Sequence, residues 1–361
     1  MTHTPVKILF LPKYSSKAPS SRYRTFQYIN DFKKSGLIVD VKPLFNDEYI
    51  TDLFSNKRKN ILNIFMCYIK RVYYLLTAAQ YDLLYIEKEA LPYIPFWLEN
   101  ILLPRKYILD YDDAVFENYL NSKNGVVKYL FGDKISKLMR NAKTVVTGSP
   151  YLTNYAKNYN DAVAEIPTSI NWERYKVLPN VQKKPDEFVI GWIGSPSSSK
   201  YILKIIEPLK QFIALHTNVK LHLIGFDNKI KINLKEENID ILKWSDELEV
   251  EMICNFDIGI MPLNNDPFSR GKCGFKLIQY MACGLPTIST PLEANISINE
   301  GSNNLFADND NEWFKAFETA YNNKNHYKTV GDVNRQLAYK KFSLQSNLAI
   351  YISLFESLKN A

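Results

Sequence analysis

Short apolar runs alternate along this chain with longer segments in which apolar residues recur at helical spacing. The run at 6–11 stops at Pro12, and apolar positions three and four apart follow over 22–34 before Gly36. The same pattern predicts strands at 38–44, 81–86, 106–111 and 144–147, and helices at 60–79, 94–103 and 126–140. Such alternation is typical of parallel strands joined by crossover helices.

A second series of this kind occupies the other half of the chain. Residues 171–187 lose the periodicity and collect Pro179, Pro185 and two lysines, a composition typical of a linker. Beyond them the pattern predicts strands at 188–193, 219–224, 239–244, 258–263 and 287–290, and helices at 200–216, 246–255 and 275–282, with a helical tail over 311–361. We therefore predict an α/β protein with a Rossmann-like domain at 1–170, a linker at 171–187, a second Rossmann-like domain at 188–340, and a C-terminal helix at 341–361 that packs on one or both domains.

Composition supports two folded domains. The 361 residues are 46% hydrophobic and 23% charged, which suffices for two cores and does not resemble a disordered chain. Four cysteines without CxxC spacing indicate free thiols and a reducing compartment. The first five residues resemble no signal peptide, so we expect a cytoplasmic protein.

Positive charge is concentrated in the first half. Residues 1–180 contain 25 Lys and Arg against 17 Asp and Glu, whereas 181–361 contain 20 against 21. No run of about 18 apolar residues predicts a spanning helix. The segment 57–71 joins cations to an apolar helical stretch, which fits either an interfacial helix or an amphipathic core helix with basic ends. One hypothesis is therefore peripheral contact of the N-terminal domain with the inner face of the cytoplasmic membrane.

Two loops of the second half have the composition of anion sites. Gly194, Ser195 and Lys200 follow one predicted strand, where backbone N–H groups, hydroxyls and an ammonium can hold an anion. Arg270, Gly271, Lys272 and Gly274 follow another strand and open a helix. An ordinary capped helix and a tight turn with solvated lysines remain the alternatives.

The segment Gly274-Phe-Lys-Leu-Ile-Gln-Tyr-Met-Ala-Cys-Gly-Leu-Pro-Thr-Ile-Ser-Thr290 resembles the signature of family 4 glycosyltransferases, which have the GT-B fold. In that family two glutamates, separated by seven residues, precede Met-Ala-x-Gly-x-Pro. Here Gly271 stands at the first position and Gln279 at the second, and Arg270-Gly-Lys-Cys-Gly-Phe-Lys276 resembles one branch of the family more closely. The resemblance implies two Rossmann-like domains facing a cleft, a nucleotide-sugar donor, retention of anomeric configuration and no metal or other cofactor.

The resemblance also implies roles for individual residues. Ser20-Ser-Arg-Tyr-Arg24 resembles the first strand-to-helix loop, and Asp110-Tyr-Asp-Asp-Ala-Val-Phe116 resembles the loop in which many relatives carry a histidine near the donor sugar. Asp112 occupies that neighbourhood, while all four histidines lie elsewhere. The predicted roles are catalytic for Lys200, Lys272, Asp112 and Asp113; donor-diphosphate binding for Gly194, Ser195, Lys200, Arg270, Lys272, Gly274, Phe275 and Lys276; nucleoside binding for Trp244 and Gln279; and acceptor-side contact for Ser21, Arg22, Arg24 and Glu87.

Structural alternatives remain open for several of these residues. Arg22 and Arg24 are compatible with two roles: surface charges on a first helical turn, or cations that contact an anionic substrate. The acids near Asp112 are also compatible with a role as helix caps. Trp244 is compatible either with a position in the hydrophobic core or with contact to a nucleobase.

The expected reaction is transfer of a sugar to a hydroxyl of a glycan or lipid-linked acceptor, which the resemblance connects with bacterial surface polysaccharide or glycolipid assembly. A non-catalytic nucleotide-sugar-binding or scaffold protein is the alternative, because the first glutamate is missing. A Rossmann oxidoreductase is disfavoured, since no GxGxxG follows the first strand. Nucleic-acid binding is disfavoured because the basic residues are dispersed.

Overall fold

The computed structural model describes residues 5–55, 57–104, 106–184 and 186–360. Pro185, part of the predicted linker, lies outside them. The chain divides into two compact units: the first runs to Ser169 and includes Arg270–Cys273 and the residues from Leu344 onward, and the second comprises Ile170–Ser269 and Gly274–Ser343. The segment predicted as a linker is part of the second unit, where Tyr175 lies in the core.

The described part of the first unit contains a sheet of six parallel strands in the order β2-β1-β3-β4-β5-β6. The strands are β1 (Lys7–Leu11), β2 (Ile38–Val41), β3 (Leu83–Glu87), β4 (Tyr107–Tyr111), β5 (Thr144–Thr147) and β6 (Val163–Glu165). Every residue of β3 and β4 is buried, which explains why 83–86 and 107–109 are continuous apolar runs rather than alternating ones. In their register Glu87 pairs with Asp110, so two acids lie side by side where these strands end.

Helices connect these strands, and the chain between β1 and β2 is broken into short pieces. The helices are α1 (Pro19–Arg24), α2 (Ile29–Lys34), α3 (Asp47–Phe54), α4 (Ile61–Leu76), α5 (Phe96–Leu102), α6 (Glu117–Leu120), α7 (Gly125–Phe131), α8 (Lys134–Asn141) and α9 (Pro150–Lys157). The single helix predicted at 22–34 is interrupted at Thr25, whose φ of −121° is not helical and whose hydroxyl bonds Glu87. The helix predicted at 126–140 is likewise two helices, which separate at Gly132 and Asp133.

The described part of the second unit repeats this architecture, with strand order β12-β11-β10-β7-β8-β9 and parallel pairing throughout. Its strands are β7 (Phe188–Ile193), β8 (Val219–Ile224), β9 (Ile239–Leu242), β10 (Ile258–Met261), β11 (Thr287–Ser289) and β12 (Leu305–Phe306). The helices that follow are α10 (Ile206–Leu215), α11 (Glu249–Cys254), α12 (Pro267–Arg270), α13 (Phe275–Ala282), α14 (Glu293–Ile298), α15 (Asp310–Asn322) and α16 (Lys324–Phe342). Where one helix was predicted over 200–216, a 3₁₀ segment (Pro196–Ile205) precedes α10.

The last helix, α17 (Leu344–Asn360), belongs to the first unit. Tyr351 and Phe355 are buried in the core that covers one face of the first sheet. Their rings meet those of Phe10, Phe32 and Tyr85 at centroid distances between 5.5 and 6.1 Å. The end of the chain therefore contributes to the core formed by its beginning.

Candidate functional site

Several groups converge on the carboxylate of Glu87, at the C-terminal end of the interior strand β3. This side chain is 2% exposed, and the hydroxyls of Ser21 and Thr25 donate to its oxygens at 2.6 and 2.5 Å. The backbone N–H of Lys13 donates to the same carboxylate at 3.3 Å. Burial raises the pKa of Glu87 to about 7, although the two hydroxyl hydrogen bonds oppose the rise. Ser21 and Glu87, both predicted on the acceptor side, are thus bonded to each other.

Arg24 is a buried ion-pair partner of Asp110. Its Nε donates to Asp110 Oδ2 at 3.0 Å and its Nη1 donates to the carbonyl of Ile166 at 2.7 Å, while Arg24 and Asp110 are 2% and 1% exposed. A buried guanidinium requires such pairing, because an uncompensated charge away from water is costly. The charge of Arg24 is therefore paired within the protein, and its contact with an anionic substrate remains a prediction. Arg22 is half-buried, with its guanidinium 5.1 Å from the centroid of the Tyr23 ring.

Asp112 and Asp113 follow β4 and share one ammonium. Lys88 Nζ lies 2.9 Å from Asp112 Oδ1 and 3.4 Å from Asp113 Oδ2, and Ser20 Oγ donates to Asp112 at 2.6 Å. Although burial by itself raises it, Lys88 and Ser20 hold the pKa of Asp112 below its ordinary value. Burial raises the pKa of Asp113, against the lowering effect of Lys88 and Lys272. The two neighbouring acids therefore differ in proton affinity, as acid and base pairs in active sites do.

Residues 270–273 pack within the first unit against the segment after β4. The sulfhydryl of Cys273 donates to the carbonyl of Asp112 at 2.9 Å, and the guanidinium of Arg270 lies 5.0 Å from the centroid of the Tyr151 ring. A Cβ at Gly271 would lie 2.3 Å from the Cβ of Ala114 and 2.8 Å from its backbone nitrogen. The position that matches the first glutamate of the family signature is thus filled here by the close approach of another backbone segment.

In the second unit, Lys276 connects the two loops predicted to bind a diphosphate. Its Nζ lies 3.3 Å from Ser198 Oγ and 4.5 Å from the centroid of the Trp192 ring. Ser195 and Ser198 form a reciprocal cap at the start of the 3₁₀ segment. Gly194 and Ser195 therefore lie on the same loop as the partner of Lys276. Lys200, farther along the segment, is exposed.

Helix α13 begins immediately after a glycine with left-handed backbone. Gly274 has a φ of 62°, and a Cβ there would lie 2.3 Å from Cδ1 of Ile298. Phe275 and Lys276 form the first turn of α13, at the positive end of its dipole. Gln279 lies one turn later and is only 4% exposed.

Trp244 is anchored by a buried acid that the sequence analysis did not single out. Its Nε1 donates to Glu249 Oε2 at 2.8 Å, and Glu249, which is 2% exposed, also accepts from the hydroxyl of Tyr175 at 3.4 Å. The half-buried indole is thus held in place, and its predicted contact with a base remains a prediction.

No individual role was predicted from the sequence for Lys88 or Lys204, although Glu87-Lys-Glu89 was identified as a strand end that fits either a cleft lining or a solvated loop. Lys88 stands between Glu87 and Glu89 at a strand end, and this alternation of charge was the available signal. Lys204 donates to the carbonyl of Leu263 and to Asp308, both at 2.9 Å, and no local pattern predicted those distant partners. In the described part of the chain, no group of three or more His, Cys, Asp or Glu has the arrangement of a metal site.

Comparison with solved structures shows a fold of known type. Sucrose-phosphate synthase from Thermosynechococcus elongatus superimposes with a TM-score of 0.71 at 15% identity, covering 98% of this chain and 99% of the other. WaaG, a glycosyltransferase involved in lipopolysaccharide biosynthesis, gives a TM-score of 0.71 at 14% identity over 97% and 99% of the two chains. Anabaena HepE in complex with UDP-glucose gives 0.64 at 15% identity over 97% and 99%.

Comparison of sequences places the family signal in the second half of the chain. A search of curated proteins found no significant match. The family model described as glycosyl transferases group 1 matches residues 187–323, which include β7, α13 and the loop before α13. Residues 187–323 are therefore similar to the group 1 glycosyl transferases, and the chain that contains them has the GT-B fold.

Proposed function

We propose that this protein transfers a glycosyl group from a nucleotide-diphosphate sugar to a hydroxyl acceptor, with retention of configuration and without a metal ion. The observation that carries the proposal is the 3.3 Å approach of Lys276 Nζ to Ser198 Oγ, which joins the Gly194–Ser195 loop to the start of α13 within the segment matched by the family model. Hydroxyls, an ammonium and a helix start in one place are the groups that bind a diphosphate.

The departing nucleoside diphosphate is the group that needs stabilisation in such a reaction. Its oxygens gain negative charge as the bond to the sugar breaks, and fixed cations and helix dipoles stabilise that charge. We assign this stabilisation to Lys276, Lys200 and the first turn of α13, and we propose Lys272 and Arg270 as further ligands of the diphosphate. Gln279 and Trp244 are the proposed contacts of the nucleoside.

The acidic loop after β4 is the proposed place of acceptor chemistry. Asp112 and Asp113 differ in pKa although they are neighbours, and Asp113 is one-third exposed, whereas Asp112 is 15% exposed. A carboxylate of this kind can accept a hydrogen bond from an acceptor hydroxyl. We propose a glycan or lipid-linked acceptor, in polysaccharide or glycolipid assembly at the cytoplasmic side of a bacterial membrane.

The experiment that tests this function is a panel of UDP-, GDP- and other nucleotide sugars, scored by thermal stabilisation and by release of nucleoside diphosphate with candidate acceptors. One donor should raise the melting temperature and release diphosphate in an acceptor-dependent manner. Absence of binding to every donor would refute the proposal.

A second candidate is a nucleotide-sugar-binding protein without catalytic activity. It is favoured by one observation, the approach of Ala114 to Gly271 where relatives carry a glutamate. This candidate predicts tight donor binding with no diphosphate release above the uncatalysed rate for any acceptor, so the same panel separates the two functions.

A further inference from the structure

Helix α4 exposes a continuous apolar face. Its exposed apolar residues are Ile61, Leu62, Phe65, Met66, Ile69, Tyr73 and Leu76, each at least 44% exposed and Ile61 77% exposed. At about 100° per residue these positions fall within one arc of about 140° on the helix surface. A surface helix of a globular protein ordinarily presents polar residues on such a face.

The opposite face of α4 is the one that packs against the rest of the protein. Cys67, Arg71 and Leu75 are buried there, and Arg71 Nη2 donates to the carbonyl of Pro12 at 2.7 Å. The exposed apolar face is therefore additional to the face that folding requires.

A neighbouring helix enlarges this surface. Helix α5 packs against α4 and exposes Trp97, Leu98 and Ile101, with Trp97 61% and Ile101 75% exposed. Tryptophan and tyrosine are the aromatic residues that membrane interfaces favour. We call the exposed residues of α4 and α5 together the α4–α5 face.

Charge identifies the kind of partner that fits. Residues 57–81 contain five Lys or Arg and no Asp or Glu, and Lys57, Arg58, Lys59 and Lys70 are exposed. Three of these cations directly precede the start of α4, where the positive end of the helix dipole disfavours cations. The helix dipole disfavours this placement, whereas an anionic surface that lies along the helix would favour it.

We propose that the α4–α5 face binds the surface of an anionic lipid bilayer, with the apolar side chains at the level of the acyl chains and the cations at the headgroups. Interfacial helices combine an apolar face with lysine and arginine in this way. No helix of the described residues has the length and apolarity needed to cross a bilayer, so the contact is peripheral. The proposal goes beyond sugar transfer and is tested without a sugar donor.

The test is flotation of the full-length protein with vesicles of phosphatidylcholine alone or with 30% phosphatidylglycerol, at low and high salt. We expect binding to the anionic vesicles at low salt. Lys57→Gln/Lys59→Gln should reduce the partition coefficient about thirtyfold, and Phe65→Gln/Ile69→Gln should reduce it at least tenfold.

Matched controls change equally exposed residues elsewhere. Lys33→Gln/Lys34→Gln removes two exposed cations of α2, and Leu215→Gln/Ile241→Gln removes two exposed apolar side chains of the second unit. Both should bind like the parent protein, and circular dichroism checks that every variant is folded. Two results would overturn the proposal: no binding of the parent protein at low salt, or a concentration-dependent dimer that Phe65→Gln/Ile69→Gln abolishes without any change in vesicle binding.

Discussion

The ammonium nitrogen of Lys88 lies 2.9 Å from Oδ1 of Asp112, and Lys88 holds this position with a backbone φ of 65°. A left-handed backbone is unfavourable for a lysine by an amount on the order of 1–3 kcal/mol. The surroundings offset this cost: the N–H of Lys88 donates to the carbonyl of Asp110 at 2.8 Å, and its ammonium lies between two carboxylates. Such a conformation at a strand end is typical of functional sites.

Lys88→Met should impair the proposed reaction through Asp112. Without the ammonium the pKa of Asp112 rises, so the ionised form is lost at a higher pH. We expect kcat/KM to fall at least tenfold and the acidic limb of its pH profile to move to higher pH, with partial recovery in Lys88→Arg. Lys33→Met, at an exposed site on α2, is the control. An unchanged pH profile in Lys88→Met would show that Asp112 takes no part.

The proposed diphosphate cations are tested individually. Lys200→Ala and Lys272→Ala should each lower the transfer rate more than tenfold while the melting temperature stays within a few degrees, because neither side chain belongs to a hydrophobic core. Lys231→Ala, at an exposed position of the second unit, should leave the rate unchanged. Parent-like rates in both Lys200→Ala and Lys272→Ala would remove these residues from the donor site.

Gly271 should not tolerate any side chain. Gly271→Ala places a methyl group against Ala114, and overpacking of this kind costs about 1–3 kcal/mol. Ala114→Gly in the same protein should restore only part of the lost free energy of unfolding, because the backbone nitrogen of residue 114 stays 2.8 Å from the added Cβ. Gly125→Ala, where a Cβ meets nothing within 4 Å, is the matched control and should be neutral or stabilising. Denaturant unfolding measures all four proteins, and equal stability of Gly271→Ala and the parent would contradict the packing argument.

Removal of one partner of the buried Arg24–Asp110 pair should strongly destabilise the first unit. Arg24→Met leaves the Asp110 carboxylate buried without its partner and should cost about 3–5 kcal/mol. The exposed pair of Lys34 and Asp31 is the comparison, and Lys34→Met should change the free energy of unfolding by less than about 1 kcal/mol. If Arg24→Met changes the free energy of unfolding only slightly but abolishes donor or acceptor affinity, Arg24 is instead a substrate-binding residue.

Glu87 should make stability depend on pH near neutrality. Its pKa is about 7 in the folded protein, above the ordinary value of 4.5, so the folded state holds a proton that the unfolded state has released. The free energy of unfolding therefore falls as pH rises from 4.5 to 7, by about 1.4 kcal/mol per pH unit from this group. Glu87→Gln should remove this part of the slope, whereas Glu48→Gln, at an exposed residue, should keep it. Identical slopes in Glu87→Gln and the parent would show that Glu87 is ionised throughout.

Local pattern accounts for much of the architecture. Five of the six strands in the described part of each sheet were predicted, because a buried parallel strand must be a short apolar run. The strands β6 and β12 were missed, since three and two residues carry too little pattern. The helix predicted at 22–34 breaks at Thr25, whose hydroxyl bonds Glu87 in β3, 62 residues away, and the sequence offers no warning of so distant a partner.

Composition and motif together placed the candidate loops. Gly274, Lys276 and the Gly194–Ser195 loop were identified from strand-loop-helix order, because anion binding requires only local backbone geometry and nearby charge. The apolar and basic residues of α4 were equally visible. The sequence did not show which face of α4 is buried, because apolar residues lie on both faces of the helix.

The sequence by itself determined the parallel α/β architecture and the loops rich in glycine and lysine, because side-chain periodicity and backbone preference act over a few residues. Only the tertiary structure determined which charged side chains form ion pairs within the protein. Arg24 lies in α1, and its guanidinium pairs with Asp110, which lies 86 residues away. Such pairing depends on which strand ends lie side by side, and that arrangement emerges only when distant segments pack.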